Sequence, residues 1–134
     1  MRILIDTNIL FSALLFPHSK PACAMLHAAE HHHLVLCERN VSELREILSR
    51  KAECYLPAAE ELLATLSYEL IPEVEHTTQH MRDVKDQPIL NAAIASDVDV
   101  ILTGDKDFLS LAMEHPVCMT AAAFLLHEGL QDDA

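Results

Sequence analysis

The sequence is poor in glycine, with only two in 134 residues, and it has no tryptophan. Scarce glycine argues against a turn-rich all-β fold and against a glycine-rich phosphate loop, since both use backbone conformations that glycine adopts most easily. Hydrophobic residues make up 51% of the chain, enough to bury a core. We expect one domain over residues 1–130 and an acidic tail over residues 131–134.

Basic residues are also scarce. Nine Lys and Arg face 21 Asp and Glu, which gives a formal net charge of −12. A chain with this balance repels polyanions at long range. Composition therefore argues against a nucleic-acid partner unless basic residues gather locally.

Paired cysteines and targeting signals are missing as well. None of the four cysteines belongs to a CxxC pair, so a zinc or redox motif is not expected, and we expect reduced thiols that mostly pack in the core. Asp6 interrupts what would be the apolar region of a signal peptide. No apolar run is long enough to span a bilayer. These absences predict a cytoplasmic protein with no membrane partner.

Short apolar runs alternate with helical patterns along the chain. We predict strands at residues 3–5, 34–37, 71–74, 98–102 and 117–119. Helices are predicted to begin near Asn8, Pro21, Asn40, Pro57, Asp86, Lys106 and Ala121. The helix after Pro57 is expected to extend its apolar face to Leu70, and the one at Lys106 to reach about Glu114. This alternation predicts an α/β fold with a central parallel sheet and helices on both faces.

Four acidic residues fall at one edge of the predicted sheet. Asp6 ends the first strand, Asp105 follows the fourth, and Glu43 and Asp86 lie near predicted helix starts. Strand carboxyl ends and helix amino ends share the edge where ligands bind in such sheets. Taken singly, Asp86 and Asp105 are explained as helix caps, and Glu43 as the partner of Asn40 in a capping box.

The four acids together favour a metal site. Carboxylates gathered in one cleft repel one another and disfavour ionisation, and a hard divalent cation removes that penalty. Mg²⁺ or Mn²⁺ held by carboxylates is suited to phosphodiester hydrolysis, because the ion activates water and stabilises charge on the phosphate. Asp6 is the strongest candidate, since a carboxylate placed directly after a buried strand needs compensation.

These segments resemble the motifs of PIN domains. Residues 3–8 (ILIDTN) are similar to the opening signature, residues 41–44 (VSEL) to the mid-chain acid, residues 86–90 (DQPIL) to the third acid and residues 103–108 (TGDKDF) to the last motif. The resemblance implies a three-layer α/β/α sandwich and an Mg²⁺- or Mn²⁺-dependent endoribonuclease. It also implies a homodimer, and the chain looks closest to single-domain bacterial toxins that an antitoxin protein inhibits.

By the same resemblance, Asp6, Glu43, Asp86 and Asp105 bind metal and position water. Asn8 and Thr103 would support them by hydrogen bonds. Asp107 is either a group for a second metal ion or an ordinary first-turn acid. Asp83 lies close by, but the apolar helix spacing runs from Asp86.

A local basic rim is the way in which this acidic chain would bind RNA. Arg82, Lys85 and Lys106 flank the third and fourth motifs, and Arg45, Arg50 and Lys51 follow Glu43. For any one of them taken singly, ordinary solvated surface charge is the better explanation. The sequence predicts weak, salt-sensitive RNA affinity and a basic protein partner.

Two other functions stay open from sequence. In the first, Asp6 is the nucleophile of a phosphotransfer domain, but Asn8 occupies the position where haloacid-dehalogenase-like enzymes have a second aspartate. Alternatively, the acids form a docking patch of a non-catalytic binding module. His31, His32 and His33 are interpreted as a solvated helix end rather than metal ligands.

Overall fold

The computed structural model describes residues 1–74, 87–111 and 113–130. Within them, strands and helices alternate as predicted. In chain order the elements are β1 (Arg2–Ile5), α1 (Thr7–Leu15), α2 (Lys20–His31), β2 (His33–Cys37), α3 (Glu38–Lys51), a 3-10 turn (Glu53–Tyr55), α4 (Leu56–Thr65), β3 (Glu69–Ile71), α5 (Gln87–Ala95), β4 (Val100–Leu102), α6 (Lys106–Leu109), β5 (Val117–Met119) and α7 (Ala121–His127).

The five strands form one parallel sheet in the order β3-β2-β1-β4-β5. The side chains of β1 alternate between its faces. Ile3 and Ile5 belong to one core cluster with α1, α2, α3, α4 and α7. Leu4 belongs to a second cluster with α5 and α6. Helices therefore cover both faces, and the predicted α/β/α sandwich is confirmed.

The start of α3 differs from the prediction. The helix begins at Glu38, because β2 runs through Cys37 straight into it, and Cys37 is its N-cap residue. Asn40 lies inside the first turn, where its Oδ1 accepts a hydrogen bond from the backbone N of Cys37 at 3.2 Å. The predicted cap at Asn40 and its capping box with Glu43 are therefore wrong. Glu43 lies beyond the first turn of α3 rather than at its start.

Three other boundaries also moved. Leu70 lies in β3 opposite Leu36, not on the face of α4, and β3 precedes the predicted 71–74 strand because pairing with β2 fixes its register. β4 begins at Val100 rather than at 98. α6 ends at Leu109 and does not reach Glu114. At this helix end the Ser110 hydroxyl donates to the backbone oxygen of Asp107.

Cysteine burial is lower than predicted. Cys37 is buried and Cys118 half-buried, but Cys23 and Cys54 are exposed. No single helix in the described ranges is long and apolar enough to cross a membrane. α1 and α2, bent by 109°, pass that test only as a pair, and their apolar faces are buried in the first core cluster.

Candidate functional site

The candidate site lies where the order of the strands reverses. From β1 the chain builds β2 and β3 on one side, and then β4 and β5 on the other. In parallel sheets this reversal opens a crevice at the carboxyl ends of the two strands that flank it. Asp6 follows β1, and the Thr103–Gly104–Asp105 segment follows β4. The topology thus brings the first and last predicted motifs to one place.

Asp6 is held rigidly at this crevice. Ile5 pairs with Leu102, and the backbone N of Asp6 donates to the Leu102 oxygen at 2.9 Å. This register sets Thr103 beside Asp6, and its hydroxyl donates to Oδ2 at 2.9 Å. The backbone N of Thr7 donates to Oδ1 at 2.8 Å. The carboxylate is only 3% exposed, so both oxygens are oriented and largely dry.

Burial raises the pKa of Asp6 from 3.8 to about 6. The hydrogen bonds from Thr103 and Thr7 oppose the rise, while the charges of Asp105 and Glu43 add to it. Hydrogen-bond donors therefore offset only part of the penalty for ionising this carboxylate. A cation bound among the three acids would remove the rest.

Asp105 is both a helix cap and a member of the site. Its Oδ1 accepts from the backbone N of Asp107 at 2.9 Å, which caps α6. Its own backbone N donates to the Thr103 hydroxyl at 3.0 Å. Oδ2 of Asp105 accepts no hydrogen bond from the described part of the chain, so one oxygen is left for a ligand. Asp107 lies in the first turn of α6.

Thr7 joins Glu43 to this arrangement. Its hydroxyl accepts from Nδ2 of Asn40 at 3.1 Å and donates to Oε2 of Glu43 at 3.3 Å. Nε of Arg39 donates to Oε1 of the same glutamate at 2.9 Å. Glu43 therefore faces the crevice. It lies about one turn further into α3 than predicted, because the helix begins earlier than expected.

The supporting residues differ from the predicted pair. Thr103 makes its hydrogen bond to Asp6, but Asn8 is exposed and bonds through its side chain to none of the described residues. Thr7 occupies the role that the sequence had assigned to Asn8. Thr7, Asn40 and Arg39 were missed as site residues. Only Arg39 carried a local signal, its i,i+4 spacing to Glu43.

The described residues include only part of the predicted basic rim. Asp86, Arg82 and Lys85 lie outside the described residues, as does the tail at 131–134. Lys106 is exposed next to Asp105, whereas Arg45 is paired with Glu60 at 2.6 and 3.0 Å. A groove of about 310 Å³ runs along α3 beside the acids, lined by Arg39, Glu43, Glu46, Ile47 and Arg50.

The donors gathered at the crevice suit a hard divalent cation. Asp6, Glu43 and Asp105 offer carboxylate oxygens, the ligand type that Mg²⁺ and Mn²⁺ prefer. Cys118 lies near enough to feel the charge of Asp6, but burial, chiefly, raises the pKa of its thiol to about 11. Without a metal ion the thiol stays protonated at neutral pH, which makes it a poor nucleophile.

Fold and site together define a three-layer α/β/α protein with a carboxylate crevice at the strand-order reversal. The family model described as PIN domain matches residues 2–107, and the chain belongs to the PIN domain family. The family predicted from the sequence motifs is thereby confirmed.

Among solved structures, the fold is similar to a chain in the crystal structure of VapBC2 from Rickettsia felis bound to a DNA fragment from the promoter. The TM-score is 0.68 at 15% sequence identity, and the match covers 90% of this chain and 98% of that chain. No curated protein matches the sequence significantly.

Proposed function

We propose that the protein is an Mg²⁺- or Mn²⁺-dependent endoribonuclease whose metal ligands are Asp6, Glu43, Asp105 and, by its sequence motif, Asp86. The observation that carries the proposal is the state of Asp6. It is a buried carboxylate whose pKa is raised to about 6 by burial and, further, by the charges of Asp105 and Glu43. A strongly perturbed carboxylate in a cleft is a candidate for a functional group, and a bound cation would stabilise its ionised form.

The protein residues have separate tasks in this mechanism. Thr103 and Thr7 hold the carboxylate of Asp6 in one orientation, and Arg39 and Thr7 do the same for Glu43. Above pH 6 Asp6 is mostly ionised and ready to act as a ligand. The chemistry that the ion supplies when bound is activation of water and stabilisation of charge on the phosphate.

RNA would approach along the groove beside α3. Arg39 and Arg50 line it, and exposed Lys106 lies beside Asp105. Arg82 and Lys85, which flank the third motif in the sequence, are further candidates for binding RNA. Glu43 and Glu46 line the same groove, so its net charge is small. We therefore expect weak binding whose affinity falls steeply with salt.

We further propose that the protein is the toxin of a toxin–antitoxin pair and acts as a homodimer. Membership of the PIN domain family and the similarity to a chain of VapBC2 support this proposal. The net charge of −12 favours an antitoxin with basic residues at the contact. Copurification of a basic protein encoded beside this one would test the pairing independently of cleavage.

The decisive experiment is cleavage of a mixed-sequence single-stranded RNA at low salt. The unaltered protein is compared with Asp6→Asn in Mn²⁺, Mg²⁺ or EDTA. The matched control is Asp97→Asn, the same substitution at an aspartate whose side chain is 89% exposed outside the site. We expect metal-dependent cleavage that falls at least ~100-fold in Asp6→Asn, since even residues that only orient a ligand are worth ~10–100-fold, and that persists in Asp97→Asn.

Other outcomes select the alternatives. Absence of both cleavage and calorimetric metal binding overturns the nuclease and leaves a binding module. A labile aspartyl phosphate after incubation with acetyl phosphate would instead identify a phosphotransfer domain.

A further inference from the structure

A second group of ligand-bearing side chains lies where the ends of two helices meet, away from the acidic crevice. His27 lies in α2, His32 is the C-cap residue that follows α2, and Glu128 is the C-cap residue that follows α7. Nε2 of His27 lies 3.0 Å from Oε1 of Glu128, and Nε2 of His32 contacts the same oxygen. Two imidazoles from one helix therefore converge on a single carboxylate from another.

The burial of this cluster differs from that of an ordinary helix end. Side-chain exposure is 17% for His27 and 15% for both His32 and Glu128. The neighbouring His31 and His33 are 60% and 54% exposed. The expectation from sequence that all three consecutive histidines face solvent is thus wrong for His32.

The surroundings fix the two rings. Phe124, fully buried, packs edge-on against His27 and His32 at centroid distances of 5.9 and 6.0 Å. The amino nitrogen of Met1 lies 3.3 Å from Nδ1 of His32, on the far side of that ring. Both Nε2 atoms consequently stay directed at Glu128. An apolar floor and held ring orientations are features that strengthen a metal site.

The geometry suits a small tetrahedral ion. The three ligand atoms lie within 4.8 Å of one another. Ligands on a tetrahedral ion with bonds of ~2.1 Å are ~3.4 Å apart, so only small side-chain adjustments are needed. Two imidazole nitrogens and one carboxylate oxygen form a donor set for Zn²⁺ rather than for Mg²⁺ or Ca²⁺. Without an ion, the same atoms hydrogen-bond to one another.

We propose that His27, His32 and Glu128 form a binding site for a Zn²⁺-class ion that fastens the end of α7 to α2. When the ion binds Nε2, the proton that each ring shares with Glu128 is released to solvent, each neutral ring carries its remaining proton on Nδ1, and water fills the fourth position. The site is independent of the proposed nuclease chemistry, because none of its ligands belongs to the acidic crevice.

The test is calorimetric and thermal titration of the full chain with ZnCl₂ after removal of metal by EDTA and dialysis. Asp6→Asn is titrated in parallel so that zinc bound by the acidic crevice is counted separately. We expect one site that survives in Asp6→Asn, raises the melting temperature and weakens at least ~100-fold in His32→Gln, which loses a ligand. His18→Gln, at an exposed histidine outside the cluster, is the matched control and should bind zinc normally.

Two further measurements keep the proposal falsifiable should His32→Gln fail to fold. Glu128→Gln must also lose the site. In ring-nitrogen NMR spectra of the unaltered chain, zinc must shift the signals of two histidines first. Zinc affinity unchanged in both variants, no binding at all, or shifts confined to exposed histidines would overturn the proposal.

Discussion

The acidic crevice and the histidine cluster treat a carboxylate in opposite ways. In the crevice the pKa of Asp6 is raised to about 6, chiefly by burial and in smaller part by the charges of Asp105 and Glu43. In the cluster, hydrogen bonds from His32 and then His27 lower the pKa of Glu128 to about 2. The chain compensates the second carboxylate itself but leaves part of the first for a ligand to compensate. The acidic crevice therefore needs a bound cation to stabilise its ionised carboxylate, whereas the cluster is stable without one and would take up a Zn²⁺-class ion only by exchanging it for protons of its histidines.

The largest expected effect is on the free energy of unfolding in the absence of metal, and it tests the contrast between the two carboxylates. The folded pKa of Asp6 lies above its unfolded value of 3.8, so the native state binds the extra proton and loses stability as pH rises from about 4 through 6. In EDTA at pH 8, Asp6→Asn should therefore be more stable than the unaltered protein by up to ~3 kcal/mol, at ~1.4 kcal/mol per pKa unit. Below pH 4 the two should be alike.

Denaturant unfolding at pH 3.5, 5 and 8 measures this difference. Asp97→Asn is again the control, since its side chain is 89% exposed and lies outside the site. Mg²⁺ should narrow the gap at pH 8 by stabilising only the unaltered protein. A gap that does not vary with pH would break the contrast.

The next effect concerns Thr103, which positions Asp6 without being a ligand. Thr103→Val keeps the buried shape but removes the donor to Asp6 and the acceptor for the Asp105 backbone N. RNA cleavage should fall ~10–100-fold. Because the lost hydrogen bond lowers the pKa of Asp6, the acid limb of the pH–rate profile should also move to higher pH.

Thr65→Val controls for that substitution, because Thr65 is exposed and, among the described residues, its hydroxyl bonds to backbone oxygens of α4. A lower rate with an unmoved pH profile would mean that Thr103 matters only for folding.

The smallest effect is expected at the cluster. In EDTA, Glu128→Gln removes the charged acceptor shared by His27 and His32 and should cost ~1–2 kcal/mol of stability near neutral pH. The folded pKa of Glu128 lies below its usual 4.5, so this contribution is present above pH 4.5 and fades as pH falls toward 2. Its pH trend is thus the reverse of that for Asp6. If urea unfolding gave the same pH trend for the Asp6 and Glu128 variants, the two carboxylates would not differ in how they are compensated.

Sequence reasoning worked where the signal was local and periodic. Residues 117–119 and 121–127 were bounded correctly, since an apolar run and a helical spacing identify such elements without reference to the rest of the chain. The helix start at Asn40 failed because β2 pairing extends through Cys37, and a sheet register overrides a capping preference. Fold class survived these errors because it depends on element order alone.

Site prediction failed for a similar reason. Adjacent polar residues at 7 and 8 look alike in sequence, and only the packing of α1 against α3 decides that Thr7 turns inward. His32 was judged without Glu128, which lies 96 residues away in the chain. Asp86 stays a prediction from its motif and from the position of α5, which begins at the following residue.

The central position of β1 in the sheet also determines when the crevice can form during synthesis of the chain. Thr103 and Asp6 are 97 residues apart, and β1 gains its second neighbour only when β4 arrives. A growing polypeptide presents Asp6 early but cannot complete the crevice until residues beyond 102 have emerged and paired. Such long-range closure is slow compared with local helix formation. If the protein is the proposed nuclease, its activity would therefore begin only after most of the chain has been synthesised.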